Sequence, residues 1–542
     1  MMRMRKSYLT LAVLAAVFSC RPAADLSEYE GLGPIYPDYA WVTVPQGIAP
    51  LNFDYTFPEA ASGRTVFTAG ECREEFSGAS IRWNPRRWRR MLEAAAGGPV
   101  SVWSSALDST WNIFVSNDPI DSGIAYRLIE PGYEVWSKMG IYERELGSFK
   151  ERAVLENTDF EGCVNCHEFN RGEPSDLSLH IRGTHGATLI RKDDAMAAYN
   201  TKTDSTLGFC VYPYWHPSGN YIIYSTNSTR QSFHVQQDKL IEVFDSASDL
   251  QIYDIAAGEL VTAPQVKTAA YWETFPSFSP DGRTIYFCRA QQQPIPEGLS
   301  EVRYNLCRVS FDPETCTIGN EIEVLIDAAS EGRSISFPKP SYDGRYILYT
   351  QSYYGNFSIW HHEADLWLLD LESGQRRRLD EVNSPDTESY HNWSSNSRWF
   401  LFSSRRDDGL FTRVYFAHVG EDGTVGKPFM LPQKDPVRHY SSLFRSYNVP
   451  AFVTGPVCLD KVDARRKINS PERVPFGFRW SGGGTGTCPG GTAGTRGTDA
   501  ATGASVPDAA TCASVPDAAC CASVNVSSAD AASGASVPAT VN

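Results

Sequence analysis

A chain of 542 residues with 42% hydrophobic, 12% aromatic and 21% charged residues has a globular composition, with room for two or three domains or one large repeat fold. Its formal net charge of −15 argues against nucleic acid as a partner, because binding to a phosphate backbone relies on Lys and Arg displacing condensed counterions. The 13 cysteines are scattered rather than grouped, which excludes a single stapled mini-fold, although Cys307 and Cys316 have the spacing of a hairpin bridge.

Residues 1–20 have a basic start (Arg3, Arg5, Lys6), an apolar run from Tyr8 to Phe18 and then Ser19-Cys20. The run is too short to cross about 30 Å of hydrocarbon, so it predicts a signal peptide. Val17-Phe18-Ser19-Cys20 resembles a bacterial lipobox, with ordinary secretory cleavage as the alternative. Lipidation at Cys20 would make the bilayer a partner through acyl chains alone and place the body in the cell envelope, on the periplasmic side or at an outer-membrane surface. Residues 21–34 are polar and predict a tether.

Residues 35–160 predict an N-terminal β-rich module, with looser blade-like material at Asn112-Ile-Phe-Val-Ser and Ile124-Ala-Tyr-Arg-Leu-Ile. Within it, the basic stretch Arg82 to Arg90 has Pro85 at a helix start and Trp88, Met91 and Leu92 at helical spacing, predicting a short amphipathic helix with a solvated Arg face.

The segment 161–204 contains Cys163-Val164-Asn165-Cys166-His167, a C-x-x-C-H pattern. Two thiols three residues apart on a helical turn can form thioethers to both vinyl groups of one haem, and the adjacent imidazole then meets the iron. The expectation is one covalent c-type haem, bound through Cys163 and Cys166 with His167 as proximal ligand and His185 or His180 as distal ligand; Met196 is a third candidate. A redox-active disulfide, a zinc half-site and a plain Cys163–Cys166 bridge remain as alternatives.

Over 205–457 one pattern returns four times: Tyr214-Trp-His-Pro-Ser-Gly-Asn-Tyr-Ile-Ile-Tyr-Ser, Ser277-Phe-Ser-Pro-Asp-Gly-Arg-Thr-Ile-Tyr-Phe, Pro340-Ser-Tyr-Asp-Gly-Arg-Tyr-Ile-Leu-Tyr-Thr and Trp393-Ser-Ser-Asn-Ser-Arg-Trp-Phe-Leu-Phe-Ser. Each reads as a strand, a tight turn and a second strand of β-branched and aromatic residues. Ser397 replaces the turn glycine in the fourth copy, which predicts a different turn there. Further strand-like runs between copies give four strands per unit of about 50 to 65 residues, the spacing of a propeller blade; a β-sandwich is the competing architecture. The reading is an all-β propeller of at least four blades, five or six once the upstream strands are counted, preceded by the β-rich module and interrupted by a haem-motif insertion. From 458 to 542 the chain reads as a low-complexity tail, since its Gly, Ala, Ser and Thr cannot bury enough apolar surface to order themselves.

The repeats resemble those of the TolB-like superfamily, in which a Ser-Pro-Asp-Gly-type turn marks each blade. The run from about 35 to 455 also resembles Bacteroidetes lipoproteins that carry such repeats with a C-x-x-C-H motif. The resemblance implies an exported propeller that docks an envelope protein. No nucleophile elbow, His-Glu-x-x-His pair or Walker loop occurs, so no catalytic constellation is identified. His361-His362 beside Glu363 and Asp365 is a weaker metal or substrate candidate. Two functions compete: haem-dependent electron transfer or redox sensing, and a haem-free interaction scaffold.

Overall fold

The computed structural model describes residues 32–130, 138–160, 162–233 and 241–482. The expected signal peptide, Cys20 and everything beyond residue 482 lie outside the described residues.

The chain divides into two compact units. The smaller comprises residues 50–114 and 432–443 together with the chain up to 41. Its sheet runs Cys72–Ser77, Arg64–Ala69, Pro99–Ser104 and Ser109–Ser116, all antiparallel. The basic stretch forms the helix Pro85–Ala94, where Asn84 Oδ1 accepts from the backbone N–H of Arg86 at 3.0 Å. Trp88, Met91 and Leu92 are buried, with Trp83 5.0 Å from Trp88, and the arginines of the opposite face are exposed.

The larger unit is a six-bladed β-propeller. Blades 3 to 6 are the four repeats, each an antiparallel meander of four strands with inner strands Cys210–Trp215, Tyr271–Phe278, Ser334–Pro340 and Glu388–Trp393. Blade 2 begins with Cys163–Asn170 and continues through Glu173–Arg182, Ala187–Lys192 and Ala195–Asn200. Blade 1 takes Gly123–Ile129, Gly140–Glu145 and Glu151–Glu156 from upstream and borrows its inner strand, Ser446–Val453, from the far end of the chain. Successive inner strands touch around the ring, with Ser446–Val453 closing it between blades 6 and 2. The inner strands are largely buried on both faces, polar residues such as Glu388, Ser389 and His391 included, so they lack the alternation of a half-exposed strand.

Three boundaries differ from the sequence reading. Residues 161–204 are blade 2, with no insertion in the ring, and the upstream module gives up residues from 123 onward to blade 1. The turn of blade 2 is built on Arg171-Gly172 (φ 51° and 78°), so the Pro-Asp-Gly signature is missing there. The low-complexity reading is corrected for residues 458–482, which form the helix Lys461–Asn469 and two short strands. Of these, Val474–Pro475 adds in parallel to the outer edge of blade 2 and Gly477–Trp480 to that of blade 3.

The fourth repeat turn does not differ from the others. Ser397 adopts φ 60° and donates its N–H to Ser394 O at 2.9 Å, as Gly282 does to Ser279 O and Gly344 to Ser341 O. Ser394 Oγ holds Asn396 Oδ1 at 2.6 Å where Ser341 Oγ holds Asp343, and this local bracing keeps a non-glycine residue in the left-handed region.

Candidate functional site at the propeller axis

Each inner strand carries a bulge at the same level, where its register with the second strand shifts. The bulged residues are Cys166, Tyr212, Phe275, Phe337, Tyr390 and Val449, all with φ between 37° and 56°. They form a ring of six around the axis. The aromatic members touch in sequence, with centroids 4.6 Å apart for Tyr212–Phe275, 4.3 Å for Phe275–Phe337 and 5.0 Å for Phe337–Tyr390.

The next residue is proline in four blades (Pro213, Pro276, Pro338, Pro450) and histidine in two (His167, His391). Proline suits a place where the ladder has already lost a hydrogen bond. Both imidazoles are buried, and His391 Nε2 donates to Leu348 O on the second strand of the preceding blade at 2.8 Å. His167 faces the backbone of Ala125, the corresponding strand of blade 1. Burial pushes both imidazoles down to about 3, so both are neutral; the Arg127 guanidinium adds to the effect at His167.

One residue further on stand Glu168, Tyr214, Ser277, Lys339, Asn392 and Ala451. Lys339 Nζ lies 2.8 Å from Glu168 Oε2, joining blades 2 and 5, which are opposite one another in the ring. The ammonium also sits 4.7 Å from the centroid of Tyr214. Trp215 and Trp393 each donate an indole N–H to the backbone of this layer, to Glu168 O at 3.2 Å and Lys339 O at 3.0 Å. Burial raises the Glu168 carboxyl despite its lysine partner. Together these layers line an axial cavity of about 70 Å³.

The C-x-x-C-H segment is therefore a stretch of inner strand, and the expected helical turn is corrected. Cys163 packs with Ile129 and Met139, whereas Cys166 belongs to the axial ring. Cys163 is disulfide-bonded while Cys166 keeps its thiol, so the two are not bridged to each other. A c-type haem needs both sulfurs and the imidazole on one macrocycle, and cofactor sites usually occupy about 300 to 1,000 Å³. The residues present do not fit it.

The distal candidates lie elsewhere in blade 2. His180 pairs across the ladder with Asn165 and is buried 5.2 Å from the Phe209 ring, with its basicity pushed down by burial. His185 lies in a turn, where its carbonyl accepts from Arg473 at 3.2 Å. Met196 is half-buried against the blade core. None of the three lines the axial cavity. His361 and His362 do not act together. His361 is buried, 3.1 Å from Glu242 and 3.5 Å from Glu363; burial works against its protonation, but the two carboxylates outweigh it and raise the imidazole. His362 is exposed and 2.9 Å from Asp386. Cys307 and Cys316 are buried thiols and form no hairpin bridge.

No family model matches the chain, and no curated protein matches it. Among solved structures it is similar to an oligogalacturonate lyase from Vibrio parahaemolyticus, with 12% identity and TM-score 0.31 over 55% of this chain and 92% of that one. The periplasmic gluconolactonase of Pseudomonas aeruginosa gives 14% and 0.32 over 57% and 96%. Prolyl oligopeptidase B from Galerina marginata gives 9% and 0.32 over 68% and 44%. The propeller assignment rests on the strand pairing itself.

Proposed function

We propose that this chain is a haem-free interaction scaffold of the cell envelope, a TolB-like propeller tethered through Cys20 whose rigid ring presents loops to a protein partner. One observation carries the reading. Cys166-His167-Glu168 occupies the same three positions in blade 2 as Tyr390-His391-Asn392 in blade 6, where no second cysteine precedes it, so the repeat accounts for His167 without an iron. The side chains of the ring and the Glu168–Lys339 pair close the axis, leaving the propeller's faces as its binding surfaces.

The competing reading, electron transfer or redox sensing through haem at Cys163, Cys166 and His167, requires the inner strand of blade 2 to be dismantled before attachment. Expression in a host with c-type haem maturation separates the two. The expected result is no pyridine haemochrome signal and an intact mass that accounts for polypeptide and lipid alone. A covalent haem on the purified protein would overturn the scaffold reading. In the same host, Cys20→Ser is expected to move the protein from membranes to the soluble exported fraction.

A further inference from the structure

Arg289, on the second strand of blade 4 (Thr284–Gln291), is held on two sides. Its Nε lies 3.2 Å from Glu273 Oε1, and the carbon of its guanidinium sits 3.8 Å from the centroid of Tyr271. Glu273 is completely buried, and its second oxygen has no hydrogen-bond partner among the described residues. The arrangement fixes the plane of the guanidinium and spends its Nε. Its two terminal nitrogens have no protein partner among the described residues, and Arg289 lines a cleft of about 480 Å³. That volume lies within the usual range for small-molecule sites. Around the cleft stand a second guanidinium, Arg303, the amides Gln291, Gln293 and Asn305, and Tyr271, which is 38% exposed.

A planar fork of N–H donors held at the lining of a cleft can receive two oxygens of one oxyanion with little reorganisation of the arginine. We propose that this cleft on blade 4 binds a small molecule through a carboxylate or phosphate group, with Arg289 as the bidentate anchor, Arg303 as the second cation and the three amides reading neighbouring hydroxyl or amide groups. The site is separate from the propeller axis and does not depend on the scaffold reading.

Glu273 adds a dependence on pH. Burial raises its carboxyl to about 7 against the opposing pull of Arg289 and the Thr268 hydroxyl, with Asp249 adding to the rise. Asp249 is itself 3.5 Å from Lys267, and Glu301 is the carboxylate lining the cleft. When Glu273 takes up a proton, Arg289 loses its countercharge and the cleft becomes more positive, so anion binding strengthens as pH falls through 7.

The test is calorimetric titration of the full-length protein with sulfate, whose charge is constant from pH 6 to 8. Saturable binding that tightens from pH 8 to 6 is expected, weakened about tenfold in Arg289→Gln and not restored in Arg289→Lys, which keeps the charge but loses the fork. Arg303→Gln, at a partly exposed position, is expected to weaken binding about threefold, and it decides the matter if the Arg289 variants do not fold. Methyl phosphate and acetate, as competitors, distinguish a phosphate from a carboxylate ligand by which displaces sulfate at the lower concentration. Absence of saturable binding, affinity in Arg303→Gln equal to wild type, or failure of both competitors would overturn the proposal.

Discussion

Glu168 and Lys339 meet across the propeller axis at 2.8 Å, joining two blades that share no strand pairing. Both side chains are largely withdrawn from water, at 9% and 20% exposure. Removing one partner strands the other, whereas removing both leaves an apolar plug that the aromatic ring can tolerate. Lys339→Met is expected to lower the unfolding free energy by about 3 kcal/mol, and Glu168→Leu combined with Lys339→Met to recover at least half of that, as read from urea denaturation. Equal losses in the single and double variants would show that the pair itself contributes the stability.

His167 and His391 predict how the protein responds to acid. Their folded-state values near 3 lie below the unfolded value of 6.5, so the unfolded chain takes up protons first. The stability they support is complete above pH 6.5 and is lost as pH falls from there toward 3, by about 1.4 kcal/mol per pH unit for each imidazole. His391→Gln can keep a donor toward Leu348 O without titrating. Its unfolding free energy is expected to fall less steeply between pH 6 and 4, by the equivalent of one proton, in denaturant titrations at stepped pH.

Two glycines with the same backbone conformation separate strain from crowding. Gly258 (φ +69°) opens onto free space, while a Cβ on Gly282 (φ +71°) would stand 2.1 Å from His216 Nε2, which in turn lies 3.0 Å from Gly282 O. Gly258→Ala is expected to cost about 1 kcal/mol and Gly282→Ala at least about 2 kcal/mol, with the difference visible as a lower midpoint in thermal melts.

The segment after the last blade also predicts a phenotype. Phe476 stacks on Tyr199 at 5.0 Å and meets Tyr253 edge-on at 4.4 Å, between the two short strands that extend blades 2 and 3. Ending the chain at residue 470 uncovers two outer strand edges and these rings. A loss of about 2 kcal/mol is expected, with concentration-dependent association by light scattering, because an open strand edge pairs with another chain.

The four repeated hairpins were legible in the sequence because their turns require particular residues: Pro-Asp-Gly chemistry leaves a local mark. Blades 1 and 2 left only loose strand-like runs such as Ile124-Ala-Tyr-Arg-Leu-Ile, since one closes through a strand more than 300 residues away in sequence (Tyr447 against Leu128) and the other turns on Arg171-Gly172. The axial ring left a signal that was missed. Tyr212, Phe275, Phe337 and Tyr390 each stand seven residues before the turn residue with positive φ, and three of them are followed by proline. The C-x-x-C-H pattern suggested a helical turn because a motif match is blind to secondary structure; on a bulged strand its two cysteines reach different surroundings. Glu168 and Lys339, 171 positions apart, had no local pattern to connect them.

The inner strand of blade 1 is made last. While blades 2 to 6 are being synthesised, Gly123–Ile129 waits with one edge unpaired, and only Ser446–Val453 can satisfy it. The final residues of the ring therefore act as a clasp: a chain that stops short of them keeps five blades' worth of sequence yet cannot complete a single closed turn. Such a fragment presents an unsatisfied strand edge, the kind of surface that pairs with a neighbouring chain.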